Sequence, residues 1–338
     1  MAFDRRTLLL GMGLTLASAC ARAEKRRGRA VKSDPLWPAF KSAFLDPSGR
    51  IVDNGNGGIS HSEGQSYALL LALWNDDRAT FDAVLGWTER TLARQDMALF
   101  SWRYDPRAGN PVSDPNNATD GDIAIAWALA EAARQWRAPA YAQRSTAIRA
   151  AIRSHLVVER FGQQLLLPGL NGFAGGQGVT LNPSYYLWPA LDLFRQLEGD
   201  AAWGRVIADG EALLARARFG PLALPTDWID VTGRDSVVPA ANRPPRFGFD
   251  AIRAPLYAQA GKRLALVAPV RDYWRSYAAN QRPIPAFVDV QSGEVAPYAL
   301  SQGGMEVATR IMGIAPPPTS LAPDYYAAAL QMLARHLL

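Results

Sequence analysis

The stretch Tyr67-Ala68-Leu69-Leu70-Leu71-Ala72-Leu73-Trp74 is apolar all the way round a helix, and so is much of Ile123 to Trp136. A helix that is hydrophobic on every face must be covered on every face. Asp77 to Arg94 is of another kind: Phe81, Val84, Leu85 and Leu92 form one stripe with charge opposite, as on an outer helix. Helical periodicity also marks Leu36 to Phe44, Ser62 to Asn75, Asp120 to Trp136, Tyr141 to His155 and Pro183 to Leu197. It continues through Ala201 to Phe219, Phe249 to Gln259, Leu264 to Tyr277, Gln302 to Met312 and Asp324 to Leu337. Both kinds of helix in one chain predict an all-α fold of two concentric rings, an α/α toroid, with an irregular helical array as the alternative. Strand signals such as Gln164 to Leu167 are short and predict β-hairpins in the loops.

Composition narrows the function. With 49% hydrophobic and 20% charged residues over 338 positions, the chain builds a large core and is not disordered. Cys20 is the single cysteine and the histidines are three (His61, His155, His336), so neither a disulfide framework nor a clustered metal site is expected. Residues 1–32 carry eight of the 36 Lys and Arg but only two of the 31 Asp and Glu. The remainder is nearly neutral, which speaks against nucleic acid as a partner.

That basic segment reads as an export signal over residues 1–23 followed by a basic linker, 24–33. Arg5-Arg6 form a charged start, Leu8 to Ala17 an apolar stretch too short to span a bilayer, and Ala17-Ser18-Ala19 a small-residue cleavage region. Arg5-Arg6-Thr7-Leu8-Leu9 resembles a twin-arginine signal, and Ala19-Cys20 a lipoprotein site at which Cys20 would carry a lipid anchor. A periplasmic or secreted location is the expectation, with residues 34–338 as a single domain.

Between the helices run loops rich in Gly, Asn, Asp and Pro, at Asp53 to Ser60, Asp105 to Asn117, Gly169 to Asn182 and Pro221 to Gly248. Three junctions deliver an acid to a helix start: Ser62-Glu63-Gly64, Thr119-Asp120-Gly121-Asp122 and Phe249-Asp250-Ala251. An acid in a first turn also complements the helix dipole in any protein. The aromatic company of these junctions (Tyr67, Trp102, Tyr104, Tyr185, Tyr186) points further, because sugar rings stack on flat apolar faces. Trp102 is the leading stacking platform, whereas Trp74, Trp127 and Trp136 read as packing. Neither a phosphate loop nor a Gly-x-Ser-x-Gly elbow is present.

The run Ala118-Thr119-Asp120-Gly121-Asp122-Ile123-Ala124 through Trp136 resembles the signature of glycoside hydrolase family 8. Ser62-Glu63-Gly64-Gln65-Ser66-Tyr67, Asn182-Pro183-Ser184-Tyr185 and Phe249-Asp250-Ala251-Ile252-Arg253 resemble further blocks of that family, in its order and spacing. The pattern is similar to that of periplasmic endoglucanases encoded beside bacterial cellulose synthase. The resemblance implies an (α/α)6 barrel, no cofactor, a β-1,4-glucan as substrate, cleavage with inversion, and contact with a cellulose synthase export complex. It implies Glu63 as general acid, Asp250 as general base and Asp120 at the distorted sugar, with Tyr185 holding the attacking water and Arg253 orienting Asp250. Inversion calls for carboxyl groups roughly 6.5–9.5 Å apart. It also calls for Glu63 protonated against its helix dipole and Asp250 kept ionised, the latter favoured by Arg253. Chitosan, xylan or mixed-linkage glucan as substrate, a non-catalytic glucan-binding subunit, and a polysaccharide lyase are the alternatives.

Overall fold

A computed structural model describes residues 33–338 apart from 177, 317 and 318. The export signal, Cys20 and the basic linker as far as residue 32 lie outside the described residues. In chain order the first helices are α1 (Trp37–Phe44), α2 (Ser62–Trp74), α3 (Arg78–Thr91), α4 (Thr119–Gln135) and α5 (Pro139–His155). There follow α6 (Trp188–Glu198), α7 (Asp200–Arg216), α8 (Arg253–Ala260), α9 (Leu264–Ala279), α10 (Gln302–Met312) and α11 (Tyr325–Leu337).

Burial separates them into the two kinds anticipated. Helix α2 buries an unbroken run from Gly64 to Leu73, α4 from Thr119 to Leu129, and α11 from Ala327 to Ala334. By contrast α3 buries little beyond the stripe Phe81, Val84, Trp87 and Thr88, and α9 only Val267, Val270, Tyr273 and Trp274. The inner helices succeed one another around the molecule: α2 packs on α4, α4 on α6, α6 on α8, α8 on α10 and α11, and α11 back on α2. Outside them α3 covers α2, α5 covers α4, α7 covers α6 and α9 covers α8. Helix α1 adds Phe40 and Phe44 against Tyr325 of α11, at ring distances of 6.4 and 5.7 Å. This is the (α/α)6 toroid.

Two boundaries differ from the periodic pattern, and both lie at the site. The apolar run from Pro183 is interrupted: Pro183–Tyr185 is a 3-10 turn, and α6 restarts at Trp188 with Pro189 in its first turn, where a missing N–H costs nothing. The run from Phe249 becomes helical only at Arg253, so Asp250 stands in a turn before α8 rather than in its first turn.

Strands are short. β1 (Ser60–His61) pairs with β2 (Arg103–Tyr104), fastening the Glu63 junction to the Trp102 segment. β3 (Val157–Arg160) and β4 (Gln163–Leu166) form the expected hairpin. The loops 169–182 and 221–248 do more than form hairpins: β5 (Ala174–Gly175), β6 (Gly178–Leu181), β7 (Ile229–Val231) and β8 (Val237–Pro239) make one four-stranded antiparallel sheet. The central partners, Thr180 and Asp230, lie 50 residues apart in sequence and share a 2.6 Å hydrogen bond. Finally β9 (Arg246–Phe247) pairs with β10 (Val288–Asp289) just before the Asp250 turn.

Leu71 is wholly buried on the inner helix α2. Leu71→Ala is expected to lower the unfolding free energy by about 2–5 kcal/mol in urea titrations. A loss under about 1 kcal/mol would mean that α2 has a free face, against the two-ring packing.

Candidate active site

Each junction is held by its own local device. His61 is extended and accepts the Gly64 N–H on Nδ1 at 2.9 Å, capping α2 and fixing Glu63 in the first turn. Its Nε2 lies 3.3 Å from Asp53, and Nδ1 lies 4.0 Å from Glu63 Oε1. Asp120 is brought beside Glu63 because Gly121 has no side chain. A Cβ there would fall 2.5 Å from Ser62 Oγ and 2.9 Å from the Glu63 nitrogen, so the two helix starts meet at this glycine. Asp122 anchors the same junction from within, accepting from the Phe100 N–H at 3.0 Å and Asn117 Nδ2 at 2.8 Å.

All three predicted acids converge on one guanidinium. Arg253 Nη1 donates to Glu63 Oε2, to the Tyr67 hydroxyl at 3.0 Å and to Asp120 Oδ2 at 3.5 Å, while Nη2 donates to Asp250 Oδ1 at 2.5 Å. Arg253 is 2% exposed, against 18% for the Glu63 side chain and 34% for that of Asp250. The cation is therefore sealed beneath the partly exposed carboxyl groups of Glu63 and Asp250. Two hydrogen bonds and the width of one guanidinium keep the facing oxygens of Glu63 and Asp250 within about 8 Å of each other. A cleft is lined by Glu63, Asp120, Trp102, Tyr185, His61 and Asn56. Trp102 lies in this wall and is braced by Nε1 donating to Asp114 at 2.7 Å. Trp74 and Trp127 instead pack edge to face at 5.7 Å. Among the described residues no group of His, Cys, Asp and Glu is arranged to hold a metal ion.

The electrostatics correct one expectation. Arg253 does not hold Asp250 in the ordinary carboxylate range: the Asp250 carboxyl is pushed up to about 7, by burial first and then by the negative charges of Asp227 and Asp120. One cation shared among three desolvated acids cannot keep all of them ionised. Asp120 rises to about 6 through burial, opposed by the Gly121 N–H and by His61. Tyr185, which faces Asp120 and Asp250, is raised well above the usual phenol range by burial and then by these acids, and so stays a neutral hydroxyl.

Two residues of the site escaped the motif search. Trp228 Nε1 donates to Asp250 Oδ2 at 3.1 Å, and its indole stacks on Phe173, with centroids 5.8 Å apart and planes within 5°. Asp227 Oδ1 accepts the backbone N–H groups of Gly248, Asp250 and Ala251. Both lie in the 221–248 loop. An Asp-Trp pair in a polar loop has no local signature, and its partners come from 21 to 24 residues onward.

The family model for glycosyl hydrolases family 8 matches residues 15–337, and the chain belongs to that family. It is 42% identical to an endoglucanase of Cellulomonas uda over 82% of this chain and 77% of the relative. It is 40% identical to a probable endoglucanase of Novacetimonas hansenii, over 88% of each. The solved structure of the endo-β-1,4-glucanase CMCax from Acetobacter xylinum superposes with a TM-score of 0.85 at 38% identity, covering 89% of this chain and 96% of that one.

Asp120, Asp227, Asp250 and Asp122 all have carboxyl groups raised, to about 6, 6, 7 and 8, each chiefly by burial. The native state thus binds more protons than the unfolded chain from about pH 4 to 8, so these groups favour folding at the acid side and lose that contribution as pH rises. Melting temperature is expected to fall steadily from pH 5 to pH 8, measured by calorimetry at constant ionic strength. A rise over this interval would show that the four acids are ionised in the folded protein.

Proposed function

We propose that the chain is an endo-β-1,4-glucanase that cleaves glucan with inversion, with Glu63 as general acid and Asp250 as general base. The observation that carries this reading is the meeting of Glu63, Asp120 and Asp250 on Arg253 beneath an open, aromatic-lined cleft. Family membership and relatives named as endoglucanases at about 40% identity support it.

The chemistry follows from the arrangement. Glu63 gives its proton to the glycosidic oxygen as the bond from C1 to that oxygen breaks. Water attacks C1 from the opposite face, and Asp250 takes the proton that water loses. Asp250 must be ionised to do so, and a carboxyl at about 7 is a stronger base than an ordinary aspartate while still accessible near neutrality. Tyr185, kept neutral, offers a hydroxyl beside Asp120 and Asp250 to orient that water. Trp102 offers a ring in the cleft wall for a sugar to stack on.

Product analysis by NMR on cellopentaose tests bond and stereochemistry together: the first new reducing ends are expected in the α configuration, and β ends would overturn inversion. Glu63→Gln and Asp250→Asn are expected to lower kcat by at least about 10³-fold with folding intact. Near-native turnover by either purified variant would remove that residue from its role.

The export-signal pattern of residues 1–23 and the resemblance to periplasmic endoglucanases encoded beside cellulose synthase support a place outside the cytoplasm, acting on nascent cellulose beside its export complex. Cell fractionation is expected to recover the full chain's activity in the periplasmic or culture fraction, and a chain beginning at residue 24 in the cytoplasm. Retention of the full chain in the cytoplasm would overturn this.

A further inference from the structure

Asp227 makes an unusual set of contacts for a loop acid. Its Oδ1 accepts three backbone N–H groups, from Gly248 at 3.2 Å, Asp250 at 3.0 Å and Ala251 at 2.7 Å. Those donors belong to the turn that precedes α8, where Ile252 N–H returns to Gly248 and Arg253 N–H to the Asp250 carbonyl. A helix start has free N–H groups that a nearby side chain usually caps. Here Asp227, at a distant strand approach, binds the turn ahead of the helix rather than the helix itself, and the contact closes on the residue that carries the proposed base. The fit is close: a Cβ on Gly248 would lie 2.9 Å from Asp227 Oδ2. Asp227 is itself fastened by its own N–H to the Arg246 carbonyl at 2.8 Å. Its neighbour Trp228 reaches the Asp250 carboxyl directly. Asp227 thus holds the backbone of Asp250, and Trp228 holds the side chain.

We propose that Asp227 is a positioning residue for the reaction: it sets the Asp250 turn, and thereby the carboxylate of the base, without touching the glucan. The inference rests on Asp250 being the base. A second consequence follows from charge. Asp250 faces Arg253 on its own segment, Asp120 from α4, Tyr185 from the 3-10 turn and Tyr326 from α11, with Asp227 beneath it. Arg246 faces Asp227. Asp227 is thus a negative neighbour that makes Asp250 a stronger base.

Two variants separate geometry from charge. Asp227→Ala removes the acceptor and is expected to lower kcat on cellopentaose by about 10- to 100-fold with KM within about two-fold, as a shifted reacting group would. Asp227→Asn keeps an acceptor for the three N–H groups but not the charge. It is expected to recover most of the rate and to move the acid limb of the kcat profile to lower pH. Wild-type kcat in Asp227→Ala would overturn the proposal. So would an Asp227→Asn variant as impaired as Asp227→Ala with an unmoved acid limb, which is the pattern of a purely structural residue. Should Asp227→Ala fail to fold, Asp227→Asn alone decides through the pH limb. Asp250→Asn in the same assay keeps the two ideas distinct. Activity there removes the base itself, whereas an inactive Asp250→Asn beside an unaffected Asp227→Ala removes only the positioning role.

Discussion

The Arg253 guanidinium is the contact on which the site depends. It is almost fully buried at the first residue of α8, and it reaches acids from α2, from α4 and from its own preceding turn. A buried cation needs carboxylate partners, and three acids meeting at one point need a cation, so each side of the cluster requires the other. The planar, five-donor fork does what a lysine cannot: Nη1 engages acids on α2 and α4 while Nη2 holds Asp250 in the turn before α8. Because α2, α4 and α8 all belong to the inner ring, the same contacts that assemble the acids also fix the spacing of the helices around the axis.

Burial raises the carboxyl groups of Asp120, Asp227 and Asp250, and at Asp250 the negative charges of Asp227 and Asp120 add to it. A reaction that needs one acid and one base gains from such frustration. Groups held far down in the carboxylate range would be poor bases, and groups fully neutral would be none at all. The arrangement costs stability in the folded chain, and the surrounding shell of inner and outer helices supplies it. Function here sits where local preference and global packing disagree.

How far the sequence discloses this depends on whether the signal is local. The apolar run of Tyr67 to Trp74 announced a helix covered on all sides, and Glu63, Asp120, Asp250, Tyr185, Trp102 and Arg253 stood in contiguous blocks that resemble one family. Their meeting could be expected from that resemblance, and the coordinates bring them together. What stayed hidden was long-range. Asp227 and Trp228 act on a turn more than twenty residues away, and β6 finds its partner β7 across 50 positions. The start of α8 is hidden for the same reason: periodicity from Phe249 onward is helical, but Asp227 binds the N–H groups of Gly248, Asp250 and Ala251 in a turn, and the helix begins only at Arg253. The raised carboxyl of Asp250 is not legible from Arg253, its neighbour in sequence, because burial and the distant acids Asp227 and Asp120 set it.

The sheet that joins the two cleft loops has a bearing on how this scaffold can be altered. Trp228 stacks on Phe173 and has the Arg243 guanidinium 4.9 Å from its ring, so its indole rivets the two loops together. Any change that slides one loop drags the other, and with it the grip on Asp250. The outer tip around Gly172, Gly175 and Gly176 touches nothing that a methyl group would strike. Remodelling intended to extend the enzyme's reach along a polymer therefore belongs at that tip, while the floor beneath it tolerates little.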